Sequence, residues 1–397
     1  MDHDTNAAAL SFSLVESGAS GRILERVVRI PVRDPRGCLR LALVLAAFTW
    51  GPLVVLSTVQ GLAFRGYVDE PFFGDITPHI RFLFALPLLI LADLIVGPNI
   101  VRVAGQFVAS GLVPDRCLPQ FENAIDAAVK LRDSNLTELI ILAIAYITTA
   151  YNINREIATG VSSWLAIGGT SAHNFTLTGW WYVLLSVPVY QFFVFRWVIR
   201  LVIWMVFLFR VSRLDLEIIP THPDGAAGLG FVGQALAPTS VIILAASSVL
   251  CSSVGTQVLY RQADLQEFVP AFLIFVVVAV IAFVAPFAVF IPTLAFARRD
   301  GLVKYGSLAT RYTQLFDTKW VKAQRAATRD ELLGTEDIQS LADIGNSFDR
   351  IANMKLFPIE LADLRALLIA ALFPAIPLVL TQIPLKDVAR ILAKVLV

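Results

Sequence analysis

Arg196 and Arg200 stand four residues apart inside an apolar run from Trp180 to about Phe209. In a helix that spacing places both guanidinium groups on one face. The run is long enough to cross a bilayer, where each charge costs roughly 2.5 kcal/mol or more. Such arginines need a partner, a cavity or lipid phosphates. A preceding apolar run carries a carboxylate, Asp93. Counting about 1.5 Å per residue from the outer end of each run, Asp93 lies about 17 Å deep and Arg196 about 21 Å deep. Matched depth predicts a buried ion pair between Asp93 and Arg196, with Arg200 as the other available cation. The group reads as a polar pathway or anion site. It reads equally as a structural pair, with Arg200 snorkelling to inner-leaflet phosphates.

A second cluster is the segment Pro220-Thr-His-Pro-Asp224-Gly-Ala-Ala-Gly228-Leu-Gly230, preceded by Arg210, Arg213, Asp215 and Glu217. Pro-Asp-Gly forms a turn, and the glycines let backbone approach another group closely. The loop opens an apolar run whose helix N-terminus would offer free N–H groups to an anion. His222 and Asp224 then read as ligands or proton carriers, and Arg210 and Arg213 as the source of a field suited to a phosphate, carboxylate or acidic headgroup. The plainer reading is a turn capped by Asp224. The candidate substrate-binding residues are therefore Arg196, Arg200, Arg210, Arg213, His222 and Asp224. A third cluster is Ser240, Ser247 and Cys251, with Ser248, Ser252 and Thr256 beside them. It reads as a pore lining or as close helix packing by small residues. Thr148, Thr149, Tyr151, Asn152 and Asn154 add polar groups at the outer end of another run.

Other chemistry has no support in the residues. The chain has no GxSxG, no HExxH and no P-loop ending, so no catalytic signature is found. Cys38, Cys117 and Cys251 form no CxxC, and His3, His79, His173 and His222 are far apart, so no metal or cofactor is expected. A net charge of +1 carries no nucleic-acid signal.

The elements that position these residues are membrane spans. The composition is 57% hydrophobic and 16% charged, which marks a polytopic membrane protein. The first apolar run begins only after Arg40, without the layout of a cleavable signal peptide. Runs at about 41–63, 80–101, 136–153, 180–209, 229–259 and 269–297 satisfy the length rule, and 364–383 is a seventh candidate, crossing or re-entrant around Pro374 and Pro377. The fold expected is an all-α bundle of six or seven spans. Residues 1–40 form a basic segment, 41–297 the bundle, 298–363 a helical hairpin, and 364–397 a last span or re-entrant segment with an amphipathic tail.

Charge orients the bundle. With the N-terminus in the cytoplasm, the inner segments hold 22 Lys and Arg, while the outer loops hold only Arg65, Arg81, Arg155 and Arg261. In the hairpin, Leu302, Tyr305, Leu308, Tyr312 and Leu315 mark one helix. Gly334 and Thr335 mark a break and N-cap, and Ile338, Leu341, Ile344, Phe348 and Ile351 a second apolar stripe. In the tail, Leu385, Val388, Leu392 and Val395 oppose Lys386, Arg390 and Lys394, as in an interfacial helix.

Arg210-Val-Ser-Arg213-Leu-Asp215-Leu, Pro220-Thr-His-Pro-Asp224 and Gly228-Leu-Gly-Phe231, with the later Leu333–Phe348 stretch and Leu356-Phe-Pro, resemble a group of uncharacterised bacterial integral membrane proteins. The resemblance covers roughly the C-terminal half. It implies a bacterial inner membrane and no particular activity. Where that group carries a second loop glycine this chain has Ala227, which argues against a positive φ there.

Three functions are compatible with these readings. The first is transport or channel activity for a small, anionic solute. The second is an enzyme acting on an anionic lipid-linked substrate at the cytoplasmic face. The third is a scaffold binding partners through the hairpin. The expected partners are the bilayer, anionic headgroups at the cytoplasmic face and a second copy of the chain.

Overall fold

Pro35 starts the first helix, α1 (Pro35–Val59), because its fixed φ suits a first helical turn and its missing N–H would lack a partner there anyway. Arg36 and Arg40 therefore lie within α1 and not ahead of it, as the charge pattern implied. The computed structural model describes residues 34–64, 66–158, 162–167, 175–261, 263–322 and 336–382. Within these, structure outside helices and turns is limited to isolated bridges, Glu70 with Ser163 and Ala166 with Phe175. The basic segment before Asp34, the Gly334–Thr335 break and the amphipathic tail beyond Gln382 lie outside the described residues.

The bundle continues with α2, a helical run over Ile76–Ala109 that is π-helical at Ile80–Ala85. Next come α3 (Leu118–Arg132), α4 (Asn135–Ala158) and α5, which runs over Leu177–Ser212 and is π-helical at Tyr182–Ser186. Two 3₁₀ turns at Gly230–Ala235 and Ala237–Thr239 lead into α6 (Ser240–Arg261). Helix α7 (Leu265–Val284) and a 3₁₀ turn holding Pro286 lead into α8 (Ile291–Phe316). Then follow α9 (Glu336–Ala352), α10 (Leu361–Leu372) and α11 (Ile376–Gln382). Among the described residues seven segments are long and apolar enough to cross a membrane, so the protein is a polytopic all-α bundle. On α7, Leu273, Ile274, Val277, Val278 and Ile281 are exposed, which suits a face in contact with lipid tails.

The last segment runs alongside α6 without doubling back. A Cβ on Gly233, before α6, would lie 3.3 Å from Asp363, and one on Gly255 would lie 3.2 Å from Leu378. Between them the Ser247 hydroxyl donates to the Ala371 carbonyl at 2.6 Å. So α10 and α11 climb beside α6 in the same direction, from one end nearly to the other. Proline is accommodated because Phe373–Ala375 relaxes to a 3₁₀ turn.

Helix α3 is an element the apolar runs did not reveal. Phe121, Ala124, Ile125 and Ala128 are buried at helical spacing, and Phe121 packs edge-on against Phe207 of α5 at 5.9 Å. Helices α8 and α9 pack against each other as a hairpin. Ile351 is buried, and Asp337 receives Lys319 and, at 3.0 Å, the Trp320 indole N–H. Those hydrogen bonds, first that of Lys319, hold the Asp337 carboxyl below its ordinary range.

The hairpin, α3 and the 214–230 loop share one end of the bundle. Pro220 and Ile351 both lie against Gly301, and the Glu217 amide donates to the Leu112 carbonyl at 2.9 Å. The segments 66–75 and 162–167 and the start of α5 occupy the opposite end. There Thr176 caps α5, its hydroxyl accepting from the Gly179 amide at 2.8 Å and donating to the Trp164 carbonyl at 2.7 Å. A Cβ on Gly179 would stand 2.3 Å from the Leu165 carbonyl oxygen, which is backbone and cannot swing aside. Gly179→Ala should therefore push the 162–167 segment off the helix and cost about 1–3 kcal/mol. A lowered melting midpoint of the purified protein would register it, and an unchanged midpoint would show that the segment yields freely.

Candidate functional site

At the end of the bundle opposite the hairpin lies a cavity of about 590 Å³. Four spans and the loop around Glu70 and Leu165 build it. The start of α2 supplies Asp75, Thr77 and Arg81, the end of α4 supplies Thr149 and Asn152, α5 supplies Tyr182, Tyr190 and Gln191, and α6 supplies Ser253, Thr256 and Gln257. Apolar spans bring so many polar groups together only where water or a polar ligand accompanies them.

Arg81 is the centre of this site. It sits in the π-helical turn of α2, and its partner Tyr182 opens the π-helical turn of α5. Such turns recur at functional sites because the extra residue re-aims side chains while keeping the helix continuous. The Arg81 guanidinium donates through Nη1 to the Tyr182 hydroxyl and lies 5.8 Å and 5.7 Å over the rings of Tyr182 and Tyr190. Phenols are neutral partners, so the positive charge is not cancelled. Its Nε is shielded from solvent and has no acceptor.

The surrounding residues are held by saturated bonds. Asp75 caps α2 by accepting from the Thr77 amide at 3.0 Å, and it accepts further from the Thr256 hydroxyl at 3.0 Å and the Trp164 indole at 3.2 Å. The Thr148 and Thr149 hydroxyls both lie 2.8 Å from Oε1 of Gln191. The Trp50 indole donates to Nδ1 of His79, so the ring proton belongs on Nε2, which faces the Phe72 carbonyl at 3.1 Å. Sequence reasoning assigned Arg81 to an outer loop. The usable signal was its place beyond the Asp75-Ile-Thr-Pro cap, inside the helix and not ahead of it.

The predicted intramembrane pair is present with a different partner. Asp93 bonds Arg200, and both are buried, at 6% and 4% exposure. Arg196 is one turn nearer the cavity end and half-buried, its guanidinium 6.0 Å from the Phe193 ring centre. Estimating depth from the apolar boundary misplaced the register by one turn, because α2 begins before Phe82 and both helices carry a π turn. The Trp197 indole also donates to the Leu89 carbonyl at 2.9 Å, and the Arg200 guanidinium stacks over Trp197 at 4.7 Å. The pair thus belongs to a dry seam between α2 and α5, below the cavity.

The His222–Asp224 loop lines a separate cavity of about 340 Å³ at the hairpin end, with Gln106, Ser110, Gln234, Glu360 and Asp363. The anion site expected there is occupied by the chain itself. Asp224 accepts from the amides of Ala226 at 2.8 Å, Gly228 at 3.1 Å and Gly230 at 2.8 Å. His222 Nδ1 lies 2.9 Å from the Asp224 carboxylate and 3.3 Å from its amide, and the shorter contact assigns the proton to Nδ1. Helix α6 begins only at Ser240, so its N-terminus does not open at the loop. Arg210 and Arg213 do not line this cavity; Arg213 stacks over Phe209 at 5.0 Å. Arg116 takes the carboxylate of Asp215 at 2.8 Å. Ala227 adopts a φ of 56°, contrary to the expectation drawn from its side chain. The backbone must turn left-handed there to aim the next amides at Asp224.

Burial raises the Asp224 pKa, but the three backbone amides and His222 outweigh it and hold the carboxyl below its ordinary value of 3.8. A folded pKa below the unfolded one stabilises the fold above the ordinary value, and this is lost as pH falls through the folded pKa. Asp224→Ala should cost about 1–3 kcal/mol at neutral pH, because three amides lose their acceptor. The gap to wild type should begin to narrow below about pH 4 and shrink further as pH falls through the folded pKa. Parallel melts at about pH 7 and at successive steps below about pH 4 check this, and a gap that stays constant throughout would rule out the carboxylate as the cause.

Of the α6 cluster, Ser247 packs against α10 and Thr256 faces the 590 Å³ cavity, where Ser253 and Gln257, which the cluster did not include, join it. Cys38, Cys117 and Cys251 are buried free thiols. Among the described residues no group of three or more His, Cys, Asp or Glu is placed to hold a metal ion.

Comparison with family models, curated proteins and solved structures yields no significant match.

Proposed function

We propose that the protein is a multi-pass transporter of the bacterial inner membrane, with its N-terminus in the cytoplasm, and that it binds a small solute bearing an anionic group at Arg81. The observation that carries this reading is the cavity of about 590 Å³, entered by four spans and holding the Arg81 guanidinium with its unused Nε. Its size is ordinary for a small-molecule site. A binding chamber at one end, above a seam closed by Trp197 and the Asp93–Arg200 pair, is the arrangement of a carrier accessible from one side. An enzyme acting on an anionic lipid at the other end is less well supported, because that cavity presents three carboxylates and a single histidine.

Under this orientation the 590 Å³ cavity faces away from the cytoplasm, as the excess of Lys and Arg near the hairpin supports. Single cysteines placed beside Asp69 and beside Lys319 should label from opposite sides of intact cells, the former from outside. Labelling of both from one side would refute the topology. For transport, proteoliposomes should take up a small organic anion from a labelled panel, and Arg81→Gln should abolish the uptake. Uptake that survives Arg81→Gln would remove the cavity from the pathway.

A further inference from the structure

We propose that the solute held in the Arg81 cavity is a zwitterion of the α-amino-acid class, with its carboxylate on Arg81 and its ammonium group against Asp75. This rests on the reading of the cavity as a solute site and adds the second charge.

Both signs of charge line the one chamber. Arg81 supplies the positive end, with an Nε that no protein acceptor reaches. Asp75 supplies a negative end, and its partners are an amide, a hydroxyl and an indole, none of which carries a compensating charge. Arg81 and Asp75 are opposite charges facing one space, yet they form no ion pair with each other; Arg81 turns to two phenols instead. Arg81 and Asp75 thus keep separate partners within one chamber, where a dipolar solute can engage both.

Charge balance discriminates between ligand classes. A simple anion would gain Arg81 but approach the Asp75 carboxylate, and a simple cation would gain Asp75 but approach Arg81. In a site walled by apolar helices such like-charge approaches are poorly screened. A molecule bearing both groups satisfies both ends. The amides of Asn152, Gln191 and Gln257 line the same chamber and offer donors and acceptors to the rest of the solute.

Purified full-length protein in lipid nanodiscs decides the matter by calorimetric titration. The probes are the twenty L-α-amino acids and, for each that binds, its deaminated acid and its decarboxylated amine. At least one amino acid should bind, and removal of either charged group should weaken binding tenfold or more. Arg81→Gln should remove the dependence on the carboxylate, and Asp75→Asn should erase the preference for the amino acid over its deaminated acid. If the deaminated acid binds as tightly as the amino acid and still requires Arg81, the zwitterion assignment fails and the anion-solute reading stands. If no amino acid and no organic acid binds in an Arg81-dependent way, both fail. Should Asp75→Asn not fold, titration of wild-type protein with the amino acid and its deaminated acid is decisive by itself.

Discussion

Asp93→Ala should destabilise the bundle by about 3–5 kcal/mol, the effect of removing one member of a buried pair. Asp93 and Arg200 face each other across α2 and α5 at 6% and 4% exposure, so water cannot take the place of the lost carboxylate. The variant would remove the carboxylate that faces Arg200, one turn from the like charge of Arg196, which adds repulsion. The Trp197 ring face at 4.7 Å is a weaker partner for the guanidinium than a carboxylate. Folded yield and thermal midpoint in mild detergent should both fall sharply. Exchanging the two groups, Asp93→Arg with Arg200→Asp, should recover part of the loss. Replacing both by leucine should recover more, because packed apolar groups match or exceed a buried pair in stability. An Asp93→Ala protein that melts like the wild type would show that the pair contributes nothing to the stability of the bundle.

Arg81→Gln should weaken solute binding about 100-fold while leaving the fold nearly intact. A hydrogen bond to a charged group contributes about 1.5–3 kcal/mol, and about 1.4 kcal/mol is a factor of ten. Glutamine keeps a donor for the Tyr182 hydroxyl but removes the charge and the unused Nε–H. Asp75 retains all three of its donors, so the end of α2 stays capped. Arg81→Lys should fall in between, since an ammonium restores the charge without the planar fork. Tyr182→Phe, which removes only the acceptor that positions the guanidinium, should cost less than Arg81→Gln. Binding titrations beside melting curves separate the two roles. Equal affinity in Arg81→Gln and wild type would exclude Arg81 from the site.

The class of the protein and its spans were legible in the sequence, because bilayer thickness sets a length and helical periodicity sets a stripe. The apolar runs near 80–101 and 180–209 are the cores of α2 and α5, and the cost of buried charge was enough to demand a partner for Asp93. Which arginine answers it was not legible. That depends on helix register, and the π turns at Ile80–Ala85 and Tyr182–Ser186 are set by how Arg81, Tyr182 and Trp164 pack and not by local propensity. The loop around Asp224 showed its turn residues openly. Only the folded backbone shows that its amides turn inward to Asp224, with Ala227 left-handed, and so have none to spare for a ligand. The candidate site itself belongs to tertiary structure alone. Its residues come from four spans and the loop around Glu70 and Leu165, and most lie near a helix end. There an isolated Thr, Gln or Arg is indistinguishable from an ordinary interfacial residue until the helices meet.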